Sequence, residues 1–237
     1  MLSKFIQFNR YLSKWITPVD INENLFKCRI QNLLNPDSKV LEIGGSDRPY
    51  INLKSVQLLI GCDPDPTLLI TNQYHKFYNG TIQDVNIIGF DLIVSRYVLE
   101  HVEDCKKEYL LQIEKLSTNG KAIHIYPMGF HPFSIMSKFF EHFGLKKKII
   151  SILRPDAVIV TGYKTYYDLG LPKDLEYFLK TIPGIKYNVN YEFGAIDYFG
   201  FFFPFALIIQ IFNSICRFFN LTYFASNIYV EITKVGN

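Results

Sequence analysis

Glu42 sits in a short apolar run, Val40-Leu41-Glu42-Ile43, that ends directly in Gly44-Gly45-Ser46. Asp63 ends the next such run, after Gly61 and Cys62. Glycine past a strand end lets the backbone approach a ligand, and an acidic residue after the following strand accepts hydrogen bonds from ribose hydroxyls. The details argue against a dinucleotide. Gly44-Gly45-Ser46-Asp47-Arg48-Pro49 supplies two adjacent glycines but no third at G-x-G-x-x-G spacing. The link from Ser46 to Val56 is also too short for a long helix whose N-terminus would hold a pyrophosphate. A nucleoside without phosphates fits better, and a nicotinamide oxidoreductase is disfavoured. The four cysteines, Cys28, Cys62, Cys105 and Cys216, include no C-x-x-C pair, so zinc and dithiol chemistry lack support.

These residues need strands to position them, and the pattern supplies strands. β-rich runs cover Lys39–Ile43, Val56–Ile60, a weaker stretch near Lys76–Tyr78, Phe90–Ser95, Lys121–Tyr126, Lys186–Phe193 and Ile228–Thr233. Helical periodicity is expected over Leu2–Ile16, Asn22–Leu34, Val98–Leu116 and Pro172–Thr181. Pro18 ends the first of these and Asn35-Pro36-Asp37 the second. Strands separated by turns and helices predict an α/β, mostly parallel, doubly wound sheet. Residues 1–36 read as an N-terminal helical cover, and residues 37–237 as the main domain with an apolar insertion at 198–225.

Length and composition bound the reading. A chain of 237 residues with 49% hydrophobic content can bury a large core and has room for one α/β domain with additions. A net charge of +3 is too mild to imply nucleic acid. Charged and polar residues interrupt the N-terminal apolar stretch, so it does not read as a secretory signal, and a cytoplasmic location is the expectation. Phe and Tyr crowd into the last third of the chain, and such an excess asks for an apolar partner.

Taken in order, the motifs resemble those of class I S-adenosylmethionine-dependent methyltransferases. Glu42-Ile43-Gly44-Gly45-Ser46 is similar to their acidic-x-Gly-x-Gly motif, with Ser46 in place of the last glycine. Gly61-Cys62-Asp63 resembles the second motif. Phe90 to Val102, reading FDLIVSRYVLEHV, is similar to the fourth-strand motif of the type 11 group, and Asn119-Gly120-Lys121 resembles the turn before their fifth strand. Thr81 stands where many relatives carry an acidic residue. The resemblance spans Lys39 to Tyr126. It implies a seven-stranded sheet in the order 3-2-1-4-5-7-6 with S-adenosyl-L-methionine across the carboxyl ends of strands 1 and 4. Glu42 belongs to the cofactor motif, and Gly44, Gly45 and Ser46 would contact the methionine part. Asp63 would hold the ribose, Ile82 and Gln83 would flank the adenine, and Ser95 and Arg96 would line the methyl side. A hydroxyl acceptor also needs a base. The candidates are His101 and His131, past strands 4 and 5, with Glu100 read as a solvated helix residue and Thr165–Asp168 as a candidate pocket wall.

The insertion is the most apolar run in the chain, Phe199 to Phe212. As a helix it reaches roughly 21 Å, short of the ~30 Å hydrocarbon core of a bilayer. If the strands flanking it pair in one sheet, both its ends return to the same side and a single crossing is excluded. Buried sheet cover, a homodimer contact through 199–212 and peripheral attachment to the inner face of a membrane all remain open. The expected function is methyl transfer to a small or lipid- or glycan-linked acceptor, with a non-catalytic binding protein of the same fold as the alternative.

Overall fold

Side chains alternate between two cores along each central strand, which is why the strands form where the apolar runs lie. In the computed structural model, which describes residues 2–16, 18, 22–46, 49–68, 72–153 and 163–236, the strands are β1 (Lys39–Ile43), β2 (Leu58–Asp63), β3 (Lys76–Asn79), β4 (Phe90–Arg96), β5 (Leu116–Pro127), β6 (Ile185–Glu192) and β7 (Asn227–Lys234). They make one seven-stranded sheet in the order β3-β2-β1-β4-β5-β7-β6. β7 runs antiparallel to β5 and β6, and the other pairings are parallel. The resemblance implied this order.

The helices are α1 (Leu2–Ser13), α2 (Asn22–Leu33), α3 (Cys105–Lys115), α4 (Pro132–His142), α5 (Lys146–Leu153), α6 (Pro172–Thr181) and α7 (Phe203–Phe218). On one sheet face Val40, Leu59, Leu92, Val94, Ile123 and Ile125 pack with Phe26 and Ile30 of α2. On the other, Leu41, Ile60, Ile93, Ala122 and Tyr126 pack with Tyr109 of α3 and Leu175 of α6. Arg29 of α2 grips Glu231 of β7 through Nε and Nη2 at 2.9 and 2.7 Å, and Lys121 reaches the same carboxylate at 2.7 Å.

The helical cover does not act as one piece. α2 seals the sheet, whereas α1 packs on the insertion: the Phe203 amide donates to Asn9 Oδ1 at 2.9 Å, and Phe5 stacks on Phe202. The insertion itself folds as α7, with Ala206, Ile209, Asn213 and Cys216 on its buried side. Antiparallel pairing of β6 with β7 returns both ends of the insertion to one sheet edge.

Local boundaries differ from the sequence expectation in instructive ways. The helix expected from Val98 begins at Cys105, because Asp104 caps it there by accepting from the Lys107 amide at 2.9 Å. Residues Leu99–His101 form a separate 3-10 turn. β5 starts at Leu116 rather than after the Asn119-Gly120 turn, with an irregularity in register opposite Phe90–Leu92. Asn119 and Gly120 thus lie inside the strand. Of the glycine-turn residues, Asp47 and Arg48 lie outside the described residues.

Candidate functional site

Crossover direction reverses between β1 and β4, so the carboxyl ends of β1, β2 and β4 open a crevice, the usual ligand position in open α/β sheets. Gly44 begins the turn after β1 with φ +69°, and a Cβ there would stand 2.2 Å from Val98 Cγ2. Both features demand glycine. The Gly44 and Gly45 amides donate to the Cys62 carbonyl at 2.9 and 3.0 Å, locking the turn against the end of β2. Tyr74 donates from its hydroxyl to the Ser46 carbonyl at 3.3 Å.

Three carboxyl groups stand at this rim. Glu42 is 7% exposed and accepts from the Tyr50 amide at 3.0 and 3.2 Å. Burial pushes its pKa up to about 7, against the opposing pull of the Tyr50 amide and Arg96. Asp63, at the end of β2, accepts from the Asp65 amide through Oδ1 at 2.8 Å, and its pKa is also raised by burial. Glu100 is the third. It is not a solvated helix residue as expected: it is 5% exposed in the 3-10 turn after β4, and Oε2 has no partner among the described residues. Burial raises its pKa to about 8. Sequence periodicity missed it because the segment is not α-helical.

His101 adjoins Glu100. Its Nδ1 is 2.7 Å from the Lys164 carbonyl oxygen, which can only accept, so Nδ1 carries the proton and Nε2 holds the lone pair of the neutral ring. Nε2 lies 3.7 Å from Glu100 Oε1. Burial holds the imidazole below its usual pKa, so the neutral form prevails near pH 7. A strap of residues 163–168 crosses over this turn. The Tyr166 amide donates to the Glu100 carbonyl at 2.8 Å, and Thr165 donates to Glu141 from both its amide and its hydroxyl. At its start the strap bonds Asp65 through the Tyr163 hydroxyl, so it spans from the end of β2 to the end of β4.

Several expected side chains point elsewhere. His131 is 0% exposed and caps α4, accepting from the Phe133 amide through Nδ1 at 3.2 Å, while Nε2 faces Asn213 Oδ1 at 3.2 Å. Both ring nitrogens are committed to structure, and burial lowers the pKa to about 4. Ser95 is buried with its hydroxyl 2.8 Å from His124 Nδ1, so its side chain faces the sheet core and not the crevice. Ile82 is fully buried, and of that pair Gln83 is the exposed one. Thr81 caps the 3-10 turn Ile82–Asp84 that holds both residues. Arg96 lies at the rim with its guanidinium 4.3 Å from the Tyr50 ring centroid. It is followed by Tyr97 at φ +56°, a left-handed non-glycine residue of the kind that marks functional turns. An open cleft between α2 and residues 49–55 lies to one side of this rim.

The carboxyl oxygens of Glu42 and Asp63 can accept from the amine and hydroxyl donors of a nucleoside. Among the described residues no cluster of His, Cys, Asp and Glu has the arrangement of a metal site.

No protein-family model matches the chain, and no curated protein matches it in sequence. Solved structures do match in shape. The YcgJ protein of Bacillus subtilis superposes with a TM-score of 0.52 at 14% identity, covering 91% of this chain and 100% of that one. A SAM-dependent methyltransferase from Archaeoglobus fulgidus gives 0.51 at 14% identity, covering 89% and 93%. Phosphoethanolamine N-methyltransferase 2 of Haemonchus contortus, solved with phosphomonomethylethanolamine and S-adenosylhomocysteine, gives 0.56 at 13% identity, covering 100% of this chain and 60% of that one. The chain has the class I methyltransferase fold.

Proposed function

We propose that this chain is an S-adenosyl-L-methionine-dependent methyltransferase. The observation that carries the reading is the pair of carboxyl groups, Glu42 and Asp63, at the ends of β1 and β2 beside the tight glycine turn at the switch point of this fold. Bound there, the cofactor supplies a methyl group already activated by its sulfonium. Asp63 would accept from the ribose hydroxyls through the oxygen that the Asp65 amide leaves open. Glu42 and the backbone of Gly44, Gly45 and Ser46 would hold the methionine part. Gln83 and the backbone at Ile82 would border the adenine, and Arg96 with the backbone at Ser95 would wall the methyl side.

With the methyl group activated, the protein's task is to hold the acceptor in line and exclude water. We assign the acceptor to the side of the rim bordered by His101 and the 163–168 strap, and read it as a hydroxyl on a small or lipid- or glycan-linked molecule. His101 is the base: its Nε2 lone pair would take the proton of the acceptor hydroxyl. Once ionised, Glu100 lies close enough, at 3.7 Å, to hold the resulting imidazolium by charge. His131 is set aside as a base because its nitrogens are occupied. An acceptor linked to lipid implies work at the inner face of a membrane.

Titration calorimetry with S-adenosylhomocysteine tests the cofactor half. A charge-assisted hydrogen bond is worth about 1.5–3 kcal/mol, so Asp63→Ala should weaken binding about tenfold or more. Absence of binding to the wild type sinks the proposal. Binding without turnover on lipid and glycan extracts leaves the protein a non-catalytic binder.

A further inference from the structure

α7 is apolar on both sides. Opposite its buried stripe it exposes Ile208, Ile211, Ile215 and Phe218, the last 83% accessible. A helix of this kind belongs in a core or in lipid, not in water. Its neighbours repeat the pattern. α1 exposes Phe5, Phe8 and Tyr11, with Trp15 beyond it 76% accessible, and α4 exposes Ile135 and Phe139. The elements adjoin. α1 bonds the start of α7 through Asn9, and Arg10 of α1 donates to the Leu153 carbonyl that ends α5. α4 is tied to α7 through His131 and Asn213. Half-exposed aromatic and branched side chains in this number present on the order of 1,000 Å² of apolar surface, against roughly 300–600 Å² for the largest patch of an ordinary monomer.

Charge decides what covers this face. α1 carries two basic residues, α4 one, α5 three and α7 one, while the single acidic residue among them, Glu141, is paired with Lys146. The whole chain is nearly balanced, at 25 basic and 22 acidic residues. A two-fold dimer through this face would set its cations against their own copies. An anionic bilayer complements them, with apolar side chains dipping between headgroups and Lys4, Lys147 and Lys148 at the surface.

We infer that α1, α4, α5 and α7 together form a monotopic docking surface for an anionic lipid bilayer. Among the described residues no helix is long and apolar enough to cross one, and the β6–β7 pairing keeps both ends of α7 on one side. The docking surface borders the candidate site. Lys146, at the start of α5, donates to the Tyr163 carbonyl of the strap over His101 at 3.1 Å. Docking therefore brings the strap close to the bilayer. That use rests on the methyl-transfer reading; the docking itself does not.

The test is flotation of the full chain with phosphatidylcholine vesicles, with and without phosphatidylglycerol. The wild type should float with the anionic vesicles and dissociate as salt rises. Ile208→Ser/Ile211→Ser/Phe218→Ser alters only exposed positions, and should lower partitioning by more than about tenfold with an unchanged circular dichroism spectrum. Lys147→Gln/Lys148→Gln should remove the preference for anionic lipid. A wild type that stays unbound with both vesicles overturns the inference. So does a wild-type dimer in solution that the triple variant splits. S-adenosylhomocysteine affinity is measured on the same samples. Lost docking with intact binding overturns the docking alone, and docking without such binding overturns the methyl-transfer reading alone.

Discussion

At the rim of the sheet, carboxyl groups sit out of water; on the face of α1, α4, α5 and α7, large apolar side chains sit in it. The two regions break the inside–outside rule in opposite senses, and each departure costs stability in the isolated chain. The rim holds its polar groups by single directed hydrogen bonds: the glycine turn on Cys62, the Tyr50 amide on Glu42, the Lys164 carbonyl on His101. Among the described residues, the helical face has apolar contacts on its inner side and exposed apolar side chains on its outer side. The first arrangement is directional and suits a small ligand. The second is broad and suits a surface.

The comparison breaks most sharply at His101. If the rim does chemistry, His101→Ala should lower kcat on the true acceptor by roughly 10²–10⁴-fold with little change in cofactor affinity. An unchanged kcat would leave the rim a binding site whose catalysis rests on orientation. A smaller effect sharpens the same point through pH. The base must be neutral, so kcat/KM should rise with pH through a pKa below 6.5. It should rise again near pH 8 as Glu100 ionises beside Nε2. Glu100→Gln should erase the upper step alone, which a purely structural role for Glu100 would not do.

The smallest expected effect on activity separates the two histidines. His131→Ala orphans the Phe133 amide and Asn213, at a cost of about 1–3 kcal/mol, and a chain of this size should lose roughly 2–4 °C of Tm per kcal/mol. Turnover should stay within about twofold of wild type, because no group at the rim moves. The sign of the pH dependence follows from the lowered pKa of about 4. Below pH 6.5 the unfolded chain takes up a proton that folded His131 refuses, so stability falls as pH drops from 6.5 towards 4. The alanine variant should lose that slope in thermal melts. A melt unchanged in both Tm and slope would return His131 to the list of possible bases.

Read alone, the sequence marks the seven strands and the glycine turn, but not the helices α4 and α5. Apolar alternation marks the strands, and Gly44 with Asp63 marks the ligand end of β1 and β2, because each signal lies within one strand and its turn. The sheet order was legible through the resemblance of the fourth-strand motif. Tertiary structure decided which polar side chain faces the crevice. Ser95 turns inwards to His124, 29 residues away, His101 is oriented by Lys164, 63 away, and His131 is consumed by Asn213, 82 away. No local pattern encodes such pairings, since a histidine past a strand end looks the same whether its partner is a backbone carbonyl in a strap or an asparagine on a distant helix. The same holds for the apolar insertion. Its composition calls for a partner, but only the packing of α1 and α4 beside α7 showed that one side of the helix is filled and the other is not.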